Sequence, residues 1–519
     1  MASLYLGLDS STQGLAAIVI EVDGERAQVV WQHDLDYDET FPEFGTTHGV
    51  LPNDDPLVKV SSPVMWTAAL EAMLGHVSRS GLDLTRLCAI SGSAQQHGSV
   101  YLKADGTLSR DVAPIWMDSS TRDECDEITA ALGGPDVLAR RTGSRAFQRF
   151  TGPQIRKFFE TDPHGYAITS RIHLVSSYLA SQLIASDAPL DPGDGSGMNL
   201  MDLATQDWWP DAVEATAPGL LSRLPRIVPS DSVIGVLAPV WQSRFGFPPS
   251  RVVAWTGDNS SSLVGTGLVE GGSRVVSLGT SDTICGLMLD PRVEGARGGH
   301  IFGAPTGDFM GITVFKNGSL ARERVRDAFG LDWAGFSAAL RSRPPGNRGA
   351  LMFPWFDPEI TPDVTVPGIH RVDLDSDDQA GNVRAVVEGQ MMAMANHSQW
   401  MGADIKVIHA TGGAAANRDV LQIMADVFDA EVYQFGVGNS ACLGAALRAW
   451  HADAAAAGQP VSWEAVVRDL AAPLMDSRVA PHPAAVRAYA GLRQRYASLE
   501  IQILRSPVYN LSTNSGGGT

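Results

Sequence analysis

The feature that most limits what this chain can fold into is a device that occurs twice. Near the start, YLGLDSSTQG runs from the apolar residues 4–8 straight into Asp9, Ser10, Ser11, Thr12, Gln13 and Gly14. Near the middle, SRVVSLGTSDT repeats the layout: an apolar run, a Gly, a short hydroxyl-bearing turn, and then a second apolar run. The copies lie too far apart for a short solenoid repeat, so they imply duplication of a whole domain. Each turn admits two readings. Asp, Ser and Gly serve a plain turn, through local side-chain hydrogen bonds and tolerance of unusual dihedrals. They also serve an anion cradle, in which a carboxylate faces hydrated Mg²⁺ while hydroxyls and backbone N–H groups meet phosphate oxygens.

At 519 residues the chain exceeds a single core and suggests two large or three modest domains. The second start places the division at 1–254 and 255–505, with a polar, Gly- and Ser-rich tail over 506–519 expected to be flexible. A net charge of -19 repels nucleic acid and anionic membranes. Phosphate would then have to be attracted locally, through backbone dipoles and Mg²⁺. Cys88, Cys125, Cys285 and Cys442 form no CxxC pair, which disfavours a zinc site and a disulfide framework. With no leader-like segment and no apolar run of about eighteen residues, a cytoplasmic location is expected. A monomer and a homodimer are equally compatible with the sequence.

Strand and helix alternate throughout, which is the pattern of an α/β protein. LAAIVIEV and QVVWQHDL extend the opening strand into a meander. PVMWTAALEAML has helical spacing, and LCAISGSAQQHGSVYL reads as strand, polar crossing and strand. Segments around DLATQDWWPDAVEAT and SRLPRIVPSDSVIGVLAP carry the Pro and turn residues of an irregular insertion. The last third supplies helix AGNVRAVVEGQMMAMANHSQWM, strand KVIHA, the loop TGGAAANR, helix DVLQIMADVF, strand EVYQF and helix NSACLGAALRAW.

No GxxxxGK[ST], no GxGxxG between strand and helix, no HExxH and no protein-kinase HRD/DFG set is present. Instead DSSTQG, AQQHGSVY, WMDSST, TGDN, SLGTSDT and HATGGAAANRDVLQIMADVF, in that order over roughly 4–450, resemble the FGGY carbohydrate kinases. These belong to the sugar kinase, Hsc70 and actin superfamily. The resemblance implies two actin-like (ribonuclease H-like) domains with a deep cleft, sugar at the bottom and nucleotide above. SGSAQQHGSVYLK and IWMDSSTRDEC look most like eukaryotic members that act on D-xylulose. The implied activity is ATP-dependent conversion of D-xylulose to D-xylulose 5-phosphate, with ribulose, glycerol or gluconate as alternative acceptors. A non-catalytic, nucleotide-gated binding protein is the reading from a different class.

The resemblance also implies a site. Asp9, Ser11, Thr12 and Gln13 would meet Gly279, Thr280 and Ser281 across the ATP phosphates, with Asp9 facing Mg²⁺ through water. The Gly412-Gly413 turn lets a nucleoside lie against the backbone, with Asn417 one turn into the next helix and Trp333 an adenine neighbour. On the sugar side stand Gln96, His97, Asp258, Asn259 and a helical Arg171, since a polyol needs polar groups at fixed positions. Asp258 is the expected base, against the alternative that it merely caps a helix. Asp118 of WMDSST is expected to be a cap or a supporting sugar contact.

Overall fold

The computed structural model describes residues 2–293, 299–402, 404–436 and 438–506. The tail expected beyond that lies outside the described residues. The first sheet is built from β1 (Ser3–Ser10), β2 (Gly14–Asp23), β3 (Arg26–Asp36), β4 (Leu87–Ala94), β5 (Val233–Val236), β6 (Arg251–Val253) and β7 (Thr256–Gly257). Its order is β5-β6-β4-β1-β2-β3, with β7 also pairing with β4. From β1, antiparallel β2 leads to one edge, and parallel β4 leads to the other.

The second sheet has the same plan. It contains β8 (Ser273–Leu278), β9 (Asp282–Met288), β10 (His300–Gly303), β11 (Phe309–Phe315), β12 (Val407–Thr411) and β13 (Glu431–Gln434). The order is β10-β11-β9-β8-β12-β13, with β8 antiparallel to β9 and parallel to β12. The duplication legible in the sequence is therefore a duplication of sheet topology. In the first copy Ser10 pairs with Leu15, and Ser11–Gly14 form the turn, closed by Ser11 N–H donating to Gly14 O at 2.9 Å. In the second, Leu278 pairs with Asp282, leaving Gly279–Ser281 as the turn.

Period-two alternation gives β1 two faces. Leu4, Leu6 and Leu8 pack under helix α1 (Pro63–Ser78), through Met65, Trp66, Leu70 and Met73. Tyr5 and Gly7 face helix α6 (Ser440–Ala456) on the other side. Gly7 is required there, because a Cβ would lie 2.3 Å from Cys442 O. Helix α6, though late in the chain, thus covers the first sheet together with Leu443, Ala446 and Leu447 of its apolar face. Helix α2 (Asp258–Gly265) packs on α6 so closely that a Cβ on Gly265 would meet Ser440 O at 1.8 Å.

The second sheet is covered by α4 (Gln379–His397) and α5 (Arg418–Phe428), with Val386, Met391, Leu421 and Met424 at the core. Residues 122–228 add helices and short strands around a separate core of Ile155, Phe158, Trp209 and Leu220. Among the described residues no helix is long and apolar enough to cross a membrane.

Candidate active site

A cavity of about 340 Å³ opens where the ends of β1, β4 and β7 face the second sheet. Thr12, Gln96, His97 and Asp258 line it from the first sheet, and His300 and Phe302 of β10 from the second. The two halves join directly at this floor, where Ile301 N–H donates to Gly143 O at 3.1 Å.

Asp258 is the first residue of α2, and Gly257 occupies the N-cap. Its carboxylate makes no cap, so the capping alternative does not hold. Oδ1 accepts from the Asn259 backbone N–H at 2.7 Å and from Asn259 Nδ2 at 3.1 Å. Burial, with the charge of Asp9 second, pushes Asp258 up to about 7. Asn259 Nδ2 also donates to Gln96 Oε1 at 2.9 Å, and Gln96 Nε2 donates to Gly193 O at 3.3 Å. An amide chain thus fixes the rotamer beside the carboxylate.

His97 has a left-handed backbone, φ 70°. Its Nδ1–H donates to Gly197 O at 2.8 Å, which leaves Nε2 as the acceptor nitrogen. Burial, helped by the Arg149 guanidinium, holds His97 down near 3, and the same two causes hold His300 near 3. Both imidazoles are neutral at pH 7. Arg149 lines the cavity with no counter-ion and no side-chain hydrogen bond among the described residues, and burial lowers its pKa.

Asp9 is the last residue but one of β1, with Oδ1 accepting from Ser93 Oγ at 2.6 Å. Burial pushes it up to about 6. Ser11 Oγ donates back to Gly14 O at 3.1 Å, so this hydroxyl also closes its own turn. Thr12 Oγ1 accepts from Trp116 Nε1 at 2.8 Å, while Gln13 is exposed at the turn tip. Gly279, Thr280 and Ser281 line neither this cavity nor the larger one described next. Their turn rests on a third segment, where Ser319 N–H donates to Gly279 O at 2.8 Å.

A second cavity, of about 700 Å³, brings together Trp333, Gly413 and Asn417. Trp333 opens helix α3 (Trp333–Ser342), is half-exposed, and carries the Arg326 guanidinium 4.5 Å over its ring. Gly413 has open space where a Cβ would be, whereas Gly412, at φ 85°, has Leu278 O 2.6 Å from that position. The first glycine admits the cavity and the second admits β8.

Three expectations need correction. Asn417 does not sit one turn into α5; it is the N-cap, with Oδ1 accepting from the Asp419 N–H at 3.0 Å. Asn is strongly preferred at that position because its side chain satisfies an orphan N–H. Arg171 is not helical and does not reach the cavity. It begins the strand Arg171–Leu174, with Nε 2.7 Å from Asp187 and one terminal N–H on Ser222 O. The arginine at the cavity is Arg149, in FQRFTG, whose sequence context carried no signal beyond a charge among aromatics. Asp118 neither caps the helix Arg122–Ala131 nor lines the 340 Å³ cavity. Its oxygens accept from Ser120 N–H and Oγ and from Lys59 N–H.

Sequence reasoning also passed over Trp116, Phe150, His300 and Phe302. Of these, only Trp116 lay inside a motif already singled out.

Residues 4–265 match the N-terminal domain, and residues 275–452 the C-terminal domain, of the FGGY family of carbohydrate kinases. The chain belongs to that family. Rat xylulose kinase is 42% identical over 530 aligned residues, covering 96% of this chain and 97% of its own. Xylulose kinase 2 of Arabidopsis thaliana is 38% identical, covering 86% and 87%. Among solved structures, a xylulose kinase from Rhodospirillum rubrum superposes with a TM-score of 0.83 at 20% identity, over 98% of this chain and all of its own. A gluconate kinase from Lactobacillus acidophilus gives 0.82 at 17%, over 98% and 99%. Kinases named for different substrates thus fit this FGGY chain equally well, so the likeness of backbone establishes the two-domain α/β fold and leaves the substrate to the residues.

Proposed function

We propose that this carbohydrate kinase transfers the terminal phosphate of ATP to the C5 hydroxyl of D-xylulose, giving D-xylulose 5-phosphate and ADP. The observation that carries the reading is Asp258. It is a carboxyl group whose pKa is raised to about 7 at a helix start, in a cavity lined by neutral imidazoles and a guanidinium with no counter-ion among the described residues. The near-complete alignment with rat xylulose kinase supports the choice of sugar.

In this reading Arg149 and His97 Nε2 hold sugar hydroxyls, one as donor and one as acceptor. Asn259 and Gln96 keep Asp258 Oδ1 in place. Asp258 takes the proton of the attacking hydroxyl as its oxygen bonds to the γ-phosphorus and the bond to the ADP oxygen breaks. The nucleoside occupies the cavity of Trp333, Gly413 and Asn417, and the two turns bring Thr12 and Gly279–Ser281 towards the phosphates. Asp9 suits hydrated Mg²⁺: Oδ2 has no protein partner among the described residues, and burial disfavours a bare charge there. Bound at that point, Mg²⁺ would supply positive charge to the phosphate oxygens.

The test is a coupled ADP-release assay over D-xylulose, D-ribulose, glycerol and gluconate. D-xylulose should give the highest kcat/KM. A higher value for any of the others would overturn the assignment of sugar.

A further inference from the structure

Trp116 belongs to two sites at once. Its indole is a wall of the 340 Å³ cavity, beside Arg149 and Asp258, and its Nε1–H donates to Thr12 Oγ1 at 2.8 Å. It is 39% exposed, and that bond is its one side-chain hydrogen bond among the described residues. Thr12 lies in the turn between β1 and β2, a segment anchored on its other side by Tyr37 N–H on Gln13 O.

A threonine hydroxyl has one hydrogen and two acceptor sites. With a lone pair taken by the indole N–H, Thr12 has its own hydrogen to give elsewhere. Thr12 Oγ1 makes no other hydrogen bond among the described residues, the Ser11 hydroxyl is committed to Gly14 O, and Thr12 lines the cavity. The indole therefore orients Thr12 as a donor towards an anion. A polyol packed on the indole face restricts the same ring.

We propose that Trp116 is a positioning residue that couples occupancy of the sugar cavity to phosphate binding at Thr12. This rests on the kinase reading given above. Sugar binding immobilises the indole and so meets part of the ordering cost of the Thr12 hydroxyl before nucleotide arrives. By linkage, nucleotide must tighten sugar binding by the same factor.

Calorimetry on the full chain tests this, using a non-hydrolysable ATP analogue with Mg²⁺, titrated with and without saturating D-xylulose. The wild-type protein should bind the analogue several-fold more tightly with the sugar present. Trp116→Phe keeps an aromatic wall, smaller by the pyrrole ring, and removes the N–H, and should bring that ratio close to one. Thr12→Ser keeps the acceptor and should retain the ratio, and Thr12→Val should lose it. Combined with Trp116→Phe, Thr12→Val should cause no further loss of coupling. A ratio unchanged in Trp116→Phe, or lost in Thr12→Ser, would overturn the role of Trp116. A wild-type chain that binds the analogue and D-xylulose independently would also overturn it. If the wild-type chain phosphorylates no sugar in the ADP-release assay, the kinase reading fails instead, and the two failures are distinguishable.

Discussion

A single carboxylate carries opposite demands at the residue scale. In the proposed transfer Asp258 must be ionised to take a proton, yet its surroundings hold it up to about 7, so kcat/KM for the sugar should rise with pH through that value and level off above it. Asp258→Asn preserves the hydrogen bond from Asn259 N–H and cannot accept the proton. It should lower kcat by about 10² to 10⁴ while leaving sugar binding by calorimetry within a small factor. Its stability should change in a pH-dependent way. Asp258 titrates higher folded than unfolded, so the folded chain binds more protons between about pH 4 and 7, and stability falls as pH rises through that window. Asp258→Asn removes that penalty. It should melt higher than wild type at pH 8 and match it near pH 4, and a wild-type advantage at pH 8 would contradict the burial argument. Arg149→Gln should raise KM for D-xylulose by about 10- to 150-fold with little change for ATP, since a charged hydrogen bond is worth about 1.5 to 3 kcal/mol. The place of Asp258 at the cavity was legible because TGDN follows an apolar strand. The place of Arg149 was not, because it depends on His300 and Phe302, brought to the cavity from far along the chain, and on the absence, among the described residues, of a counter-ion or side-chain hydrogen bond to its guanidinium.

Elements were legible where a short-range pattern sets them. The meander β1-β2-β3, the helix α1 and the strand β4 follow from alternation and helical spacing in contiguous residues. The boundary at Asn417 was missed by a turn because TGGAAANR has helix-forming alanines before the cap; in the structure 413–416 is a short 3-10 turn, and only Asn417 stops it. That cap is also a tie, since its Nδ2 donates to Ser337 Oγ of α3 at 2.8 Å across the 700 Å³ cavity. Asn417→Ala should cost about 1 kcal/mol in thermal or denaturant unfolding, and Asn417→Asp should recover most of it, because Asp caps as well. The Asp variant lacks the amide donor to Ser337. It should therefore bind nucleotide more weakly than wild type while folding almost as well, and equal affinity would separate the cap from the cavity.

At the scale of the whole molecule, the two copies of the sheet are not two independent bodies. Helix α6 follows the second sheet in the chain but covers Tyr5, Ile18 and Ile20 of the first. Its buried Arg448 donates to Gly92 O at 3.1 Å and Ser230 O at 3.1 Å, and Asp453 accepts from the Tyr5 hydroxyl at 3.1 Å. A fragment ending at residue 265, the limit of the first family match, should consequently be insoluble or unfold without a cooperative transition, and a well-folded soluble fragment would show that α6 is dispensable. No local pattern in NSACLGAALRAW names the sheet it covers, because small residues allow close approach to either one. Synthesis gives this arrangement a temporal side. The sheet face that receives Tyr5, Ile18 and Val253 leaves the ribosome about 190 residues before α6, which at 5–20 residues per second is on the order of 10 to 40 seconds. For that interval the nascent chain carries an apolar face without its cover. Its successful maturation in the cell depends on whatever shields nascent chains, and slowing translation between β6 and α6 lengthens the exposure to aggregation.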